Sequence, residues 1–227
     1  MPEVVFELPR YLDEAALAVF VDRVVRTLDA DRPAKVFFDF RTAFQADSLA
    51  FVVLSNLIER AAQQSTKVAF LGLAGNDSAR SQLASDLFGE NEQIVREFDR
   101  ARFFLRYLGR SIFSSDEASR LTLPLHFIEH QGIAEYLLNR LVPFVSRCVD
   151  MSGEQLDSFR ACTEEIFQNV KDHSGVSTGC AYASLDMSNR FRIAVSDFGI
   201  GIPNEVRTKE PHLDVKVQYV VSGVHPD

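Results

Sequence analysis

Short apolar runs alternate with amphipathic segments through the first half of the chain. The runs VVFELP, AKVFFDFRTAF and TKVAFLGLAG have the length and the β-branched or aromatic content of buried strands. The segments DEAALAVFVDRVVRTLDA, DSLAFVVLSNLIERAAQQS and NDSARSQLASDLFG have helical spacing and begin with residues that favour helix caps. Strands separated by helices of this length predict a helix-covered sheet, in an α/β unit spanning residues 1–112.

The second half of the chain predicts another α/β unit, residues 113–227, after a serine-containing connection, GRSIFSSDEASR. RLTLPLHFI predicts a strand, and GIAEYLLNRLVPFVSRCVD predicts a helix that Pro143 kinks or divides. A further helix is predicted from about Ser152 to Asp172. The segment GCAYASLDMSNRFRIAVSDFG then predicts two strands joined by a tight turn at Ser188-Asn189.

Composition excludes some classes of function. The formal net charge is −8, from 24 basic and 32 acidic residues, whereas general nucleic-acid binding needs a basic footprint. The cysteines Cys148, Cys162 and Cys180 show no CxxC spacing, so neither a disulfide framework nor a zinc site is expected. No apolar run has the ~20 residues that cross a membrane, and we expect a cytoplasmic protein that binds neither nucleic acid nor membrane.

The helix that ends in TEEIFQNVKDH carries polar residues close to its apolar side. Helical spacing predicts that Phe159, Cys162, Ile166 and Val170 form the buried stripe. Glu165, Asn169 and His173 follow one another at intervals of four, at the edge of that stripe. Two interpretations remain open. The edge is either solvated, with a C-terminal His favoured by the helix dipole, or it faces a bound ligand.

A second pattern, VSDFGIGIP, follows the last predicted strand. Asp197 ends the strand, and Gly199 and Gly201 permit close approaches that a Cβ would forbid. A carboxylate at such a turn can accept a hydrogen bond from the amino group of a flat ligand.

Together, EIFQNVKDH and DFGIGIP resemble the N box (E-x-x-x-N-x-x-x-H/E) and the D-x-G-x-G-I-P box of the GHKL ATPase superfamily. This superfamily includes the ATP sites of gyrases, chaperones, histidine kinases and anti-sigma-factor kinases. The resemblance implies an ATP site with Mg²⁺ in residues 113–227. In that site Asn169 holds the metal and Glu165 is the general base, while His173 is the polar residue one turn further on.

The same resemblance assigns the glycine box. Asp197 binds the adenine amino group, and Gly199, Gly201 and Ile202 line the base ahead of Pro203. The family continues with an ATP lid, a second glycine box and a last strand, whereas QYVVSGVHPD stops near the start of the lid. We therefore expect a GHKL-type α/β sandwich that lacks the end of its lid and its last strand.

The first unit resembles a STAS domain, the fold of anti-sigma-factor antagonists. KVFFDFRTAFQADSLAFVVL is similar to their strand, loop and helix, with Asp47-Ser48 at the position of their phosphorylatable Asp-Ser pair. Ser48 is therefore a candidate phosphoacceptor. The alternative interpretation is that Asp47 or Ser48 simply caps the following helix.

Other motifs have weaker support. HFIEH fits the H-x-x-E-H zinc motif, which needs both histidines, here His126 and His130, on one helical face, but it follows a strand-like run. DFG occurs without the other protein-kinase elements, and no P-loop sequence is present.

The sequence thus predicts a regulatory ATP-binding protein with a protein partner or a homodimeric state, acting as an ATPase or as an anti-sigma-type Ser/Thr kinase. The alternative is a non-catalytic protein-interaction module with a degenerate nucleotide site.

Overall fold

The chain is a mixed α/β protein with small sheets. The structure is a computed structural model, and it describes residues 3–73, 91–113, 121–173, 178–185 and 190–197. The elements of the first half are β1 (Glu3–Glu7), β2 (Tyr11–Leu12), α1 (Glu14–Asp31), β3 (Lys35–Asp39), β4 (Gln45–Ala46), α2 (Ser48–Gln63), β5 (Lys67–Leu71), α3 (Glu92–Arg100) and α4 (Phe103–Leu108).

The second half begins with an edge strand and ends with a hairpin of strands. Its elements are β6 (Thr122–Glu129), a 3₁₀ turn (His130–Gly132), α5 (Ile133–Tyr136), a π-helical segment (Leu137–Leu141), α6 (Val142–Cys148), α7 (Gly153–His173), β7 (Thr178–Leu185) and β8 (Phe191–Asp197). The tight turn predicted at Ser188-Asn189, like the helix predicted in NDSARSQLASDLFG, lies outside the described residues.

The first sheet is parallel, in the order β1-β3-β5. Phe6, Phe38 and Phe70 share one register line across it, so their rings lie on the same face. Phe20 of α1 packs its ring at 6.5 Å from Phe6, which fixes that helix over the sheet. Asp13 caps α1 as predicted, because its carboxylate accepts a hydrogen bond from the Ala16 N–H at 2.9 Å.

The sequence interpretation missed α3 and α4, which supply a cluster of aromatic rings. Phe98 lies 5.1 Å from Phe40, 4.7 Å from Phe51 and 4.9 Å from Phe103, measured between ring centroids. Phe98 is completely buried. The two short helices therefore complete the core around β3 and α2 rather than forming a connection.

The second sheet is antiparallel, in the order β6-β7-β8. Successive β7 side chains face opposite sides, as expected for a strand. Ala181 and Ala183 pack with the helices of the second half, in a cluster that includes Leu141, Phe144 and Phe167. The predicted long helix is divided into α5, the π segment and α6, with Pro143 in the first turn of α6, as its missing N–H requires.

The other face of the second sheet packs on α2, so that α2 lies between the two sheets. Cys180, Tyr182 and Ala194 belong to the same hydrophobic cluster as the core of the first sheet. The ring of Tyr182 lies 4.5 Å from that of Phe51 on α2. Within the described residues, the core of the first half thus extends onto one face of the second sheet, while the other face belongs to a separate cluster.

The segment around the predicted boundary is tied to the core as well. The Asp99 carboxylate accepts hydrogen bonds from the N–H groups of Ile112 and Phe113, at 3.0 and 2.9 Å. The Leu125 N–H of β6 donates to the Ala101 carbonyl at 3.0 Å. Within the described part of the chain, no helix has both the length and the apolar character that crossing a membrane requires.

Candidate functional site

The helix α7 begins with a capping box. The Ser152 N–H donates to the Gln155 side chain at 2.8 Å, and the Gln155 N–H donates to the Ser152 hydroxyl at 3.2 Å. This reciprocal pair satisfies two backbone donors that a helix start leaves open. The helix then runs for 21 residues to His173, so the predicted N-box residues lie on one continuous helix.

The buried stripe of α7 differs from the predicted one. Thr163 and Phe167 are buried, whereas Cys162 and Ile166 are exposed, so the predicted stripe was wrong at two positions. The Thr163 hydroxyl donates to the Phe159 carbonyl at 2.7 Å, which removes the main cost of burying it. The buried face of α7 therefore contains Thr163 and Phe167 instead of Cys162 and Ile166, so the helix is rotated about its axis relative to the prediction.

This rotation exposes the polar residues that the sequence singled out. Glu165 and Asn169 are both exposed, on successive turns of the same helix face. Ile166 lies between them in sequence with 46% of its surface exposed. His173 ends α7, but its side chain lies outside what the structure describes.

A glycine allows α7 to approach the sheet near Asn169. A Cβ added to Gly179 of β7 would lie 3.1 Å from the Ser196 carbonyl oxygen and 3.2 Å from Cγ1 of Val170. Gly179 also pairs with Asp197 in the β7–β8 ladder. The turn of α7 that carries Asn169 is therefore packed at the end of the sheet where β8 reaches Asp197.

Asp197 is the last residue of β8 and is half-buried. It ends the strand, as the sequence predicts. The remaining residues of the predicted glycine box, Gly199, Gly201, Ile202 and Pro203, lie outside the described residues.

The side chains of Asp47 and Ser48 contact the second sheet. The alternative predicted for them was a capping contact with the start of α2. Asp47 occupies the N-cap position of α2, but its side chain forms no capping hydrogen bond there. The Asp47 carboxylate instead accepts a hydrogen bond from Arg192 of β8 at 2.9 Å. The Ser48 hydroxyl is half-buried and lies 3.1 Å from the Ser184 hydroxyl of β7. Asp47 thus holds the predicted N-cap position without the side-chain capping bond, and the second sheet supplies partners for both side chains.

The zinc interpretation of HFIEH is also wrong in its geometry. His126 and Glu129 lie in the strand β6, and His130 begins a 3₁₀ turn, so the motif does not occupy one helical face. Among the side chains that the structure describes, no group of three or more His, Cys, Asp or Glu residues could hold a metal ion.

A cavity that the sequence did not reveal lies between β6 and the segment α5–π. It has a volume of about 270 Å³, and His126, Glu129, Tyr136 and Arg140 are among its lining residues. The His126 and Tyr136 rings stack with centroids 5.1 Å apart. Burial, and then the nearby Arg140 charge, lower the pKa of His126, so this imidazole is neutral near pH 7. The only signal in the sequence was Pro143, which predicts a break in the helix beside the cavity.

Comparisons of the chain with protein-family models, with curated proteins and with solved structures find no match. The support for the candidate site thus comes from the positions of its residues and from the two sequence motifs, EIFQNVKDH and DFGIGIP.

Proposed function

We propose that this chain binds an adenine nucleotide with Mg²⁺ at the C-terminal half of α7 and the end of β8. The observation that supports this proposal is the close approach at Gly179, where Val170 of α7 and the Ser196 carbonyl of β8 both lie next to the glycine. The resemblance to GHKL ATPases assigns Mg²⁺ to Asn169 and the adenine amino group to Asp197. Each is the sequence neighbour of a residue in that contact, so both belong to one end of the sheet.

The exposure of α7 also supports the proposal. Glu165 and Asn169 are exposed, so their oxygens can reach a ligand without breaking the core. Mg²⁺ prefers oxygen ligands and retains several waters, so one amide oxygen together with nucleotide phosphates is a sufficient set. Ile166, half exposed between them, offers an apolar surface of the kind that borders a bound base or a lid.

The reaction that follows from this site is ATP hydrolysis or phosphoryl transfer to a Ser or Thr hydroxyl. Glu165 would act as the general base that orients the attacking water or hydroxyl, a role that requires hydrogen-bond reach. By the resemblance, His173 completes the polar edge of the helix, and Gly199, Gly201, Ile202 and Pro203 form the turn against the base. Ser48, which contacts the second sheet, would be a phosphoacceptor whose modification alters that contact.

A non-catalytic interaction module is the second candidate function. The exposed Cys162 and Ile166 side chains favour it, because they give α7 an apolar outer surface suited to a protein partner or to a second copy of the chain. In this case the nucleotide site would be degenerate and would bind neither ATP nor ADP.

The test is calorimetric titration of the chain with ATP and ADP, with and without Mg²⁺. The proposal expects binding that Mg²⁺ strengthens, together with a rise in melting temperature, because the ligand binds only the folded state. Asp197→Asn should weaken ATP more than GTP, and Asn169→Ala should abolish the Mg²⁺ dependence. Asp157→Asn is a matched control, because Asp157 is exposed on α7 about 18 Å before Asn169 at 1.5 Å per residue.

The two candidate functions give different results in this experiment. Absence of any heat or melting shift at millimolar nucleotide would exclude the ATP site and leave the interaction module. Equal losses of ATP and GTP binding in Asp197→Asn would contradict the role of Asp197 as the reader of adenine.

A further inference from the structure

The cavity beside β6 lies apart from the α7–β8 site in the fold. It is lined by the edge strand β6 and by the helical segment that follows it, whereas β8 is the opposite edge of the same sheet. Its volume of about 270 Å³ is just below the range of drug-sized ligand sites, so it suits a smaller molecule.

The helix that borders this cavity is irregular where the cavity lies. Leu137–Leu141 forms a π-helical segment, in which the Val142 N–H donates to the Leu137 carbonyl. Pro143 has no N–H with which to continue that pattern. Asn139 and Arg140, both of this π segment, line the cavity. Single π turns inside α-helices are rare and are frequent at functional sites.

Tyr136, one of the residues that line the cavity, carries a buried polar group without a partner. Tyr136 is 3% exposed, and its hydroxyl has no hydrogen-bond partner among the described atoms. Buried hydroxyls in folded proteins are almost always hydrogen-bonded, so an orphaned one needs an explanation. The neutral His126 imidazole stacked on the same ring adds one donor and one acceptor to the cavity wall.

Opposite charges line the cavity without neutralising each other. Arg140, Glu129 and Glu135 are all exposed and all line the cavity. Within the described residues, none of these three side chains forms an ion pair. A guanidinium presents a fork that matches a carboxylate, and a carboxylate accepts from an ammonium group.

We propose that this cavity binds a small zwitterion of the free α-amino acid class. The ligand carboxylate lies on Arg140 and the Asn139 amide, and the ligand ammonium lies toward Glu129 and Glu135. The side chain of the ligand lies against the face of the cavity formed by Ile128 and His126. The proposal is independent of the nucleotide site, because none of these residues belongs to either sequence box.

The experiment measures the melting temperature and the calorimetric affinity of the chain with the common free amino acids at about 10 mM, above the Kd of even a weak millimolar site. At least one of them should raise the melting temperature. Its N-acetylated form and its decarboxylated amine should each bind about tenfold more weakly or worse, because each lacks one of the two charges.

Variants then locate the site. Arg140→Gln and Glu135→Gln should each weaken the active amino acid by about tenfold, the size expected for losing a charge-assisted hydrogen bond. Arg147→Gln on α6 is the matched control, because Arg147 is exposed and does not line the cavity. All three positions are exposed, so the unliganded melting temperature should stay the same.

The proposal is overturned if no amino acid shifts the melting temperature, if the acetylated or decarboxylated compound binds as well as the parent, or if Arg140→Gln leaves the affinity unchanged. Loss of ATP binding in the Asp197→Asn variant would not affect this result, so the two sites fail independently.

Discussion

Asp47, at the start of α2, accepts a hydrogen bond from Arg192 of β8 at 2.9 Å, across 145 positions of sequence. Other polar contacts also join the start and body of α2 to the second sheet. They include Ser48 with Ser184 at 3.1 Å and Asn56 with Ser196 at 3.1 Å. Together with the packing of Phe51 on Tyr182, whose rings lie 4.5 Å apart, these contacts join α2 to the second sheet.

A double-mutant cycle with Asp47→Ala and Arg192→Ala should give a small favourable coupling, about 0.3–1 kcal/mol, measured by urea unfolding. The coupling is small because the two side chains are 42% and 36% exposed and are partly screened by water. The more exposed pair Asp22–Arg26 within α1 is the control, and its coupling should be no larger. A coupling of zero would mean that the Asp47–Arg192 ion pair adds nothing to the stability of the α2–β8 contact.

The buried ring of Phe98 should be among the most costly side chains to remove. Phe98→Ala should lower the free energy of unfolding by about 3–5 kcal/mol, because the cavity would open among Phe40, Phe51 and Phe103. Leu105→Ala on α4 is the control, since 43% of Leu105 is exposed, and it should cost less than about 1 kcal/mol. Similar losses for both variants would show that α3 does not belong to the core.

Gly179 should tolerate no larger side chain without moving α7. Gly179→Val should lower stability by about 1–3 kcal/mol, because its Cβ would press on the Ser196 carbonyl and on Val170. If the parent chain binds nucleotide, Gly179→Val should also bind it more weakly, since α7 would shift relative to β8. Gly153→Ala is the control, because nothing lies within 4 Å of its added Cβ. An unchanged melting temperature in Gly179→Val would contradict the close approach of helix and sheet.

The protonation of His126 should make stability depend on pH. Burial and the Arg140 charge lower its pKa in the folded state, so the unfolded chain, with a pKa of about 6.5, binds the proton more readily. The free energy of unfolding should therefore fall as the pH decreases through 6.5 toward the folded pKa. Glu129 and Glu135 are the acidic residues that line the same cavity.

His126→Phe keeps an aromatic ring beside Tyr136 but cannot titrate. Between pH 7 and pH 5, the parent should lose more stability than His126→Phe, measured by thermal unfolding at each pH. In Arg140→Gln the same dependence should be weaker, because one cause of the lowered pKa is gone. A pH-independent difference would show that His126 titrates alike in both states.

The sequence predicted the elements that carry their own signals. The Asp13 cap and the capping box at Ser152 mark helix starts in the sequence itself, and α1 and α7 were found at those places. The helix α4 has six residues, and Arg102 before it is left-handed without a capping bond. Such a helix is stabilised by tertiary packing rather than by local sequence, so it was missed.

The candidate site was predictable only in part, for the same physical reason. Thr163 is classed as polar in any hydrophobic pattern, yet its hydroxyl is satisfied by the Phe159 carbonyl and packs inward. The contacts of Asp47 and Ser48 are with residues far along the chain, which no local pattern reveals. That Glu165 and Asn169 share one face of α7, by contrast, follows from helical spacing alone, although their exposure does not.

Glu165 should contribute to chemistry rather than to folding or affinity. It is exposed on α7, so Glu165→Ala should change the free energy of unfolding by no more than about 0.5 kcal/mol. Nucleotide affinity should stay within a few-fold, because the carboxylate acts on the attacking group and not on the nucleotide. Single-turnover hydrolysis of bound ATP should slow by about 10²-fold or more, the loss typical of a positioned general base.

Glu164→Ala is the control for Glu165→Ala, because Glu164 is also exposed and is rotated by about 100° around the helix. Its turnover should equal that of the parent chain. If both variants turn over alike, the carboxylates of α7 only keep its surface solvated, and the role of Glu165 as a base is wrong. If Glu165→Ala unfolds the chain while Glu164→Ala does not, Glu165 has a structural partner and the exposed edge of α7 is not a binding surface.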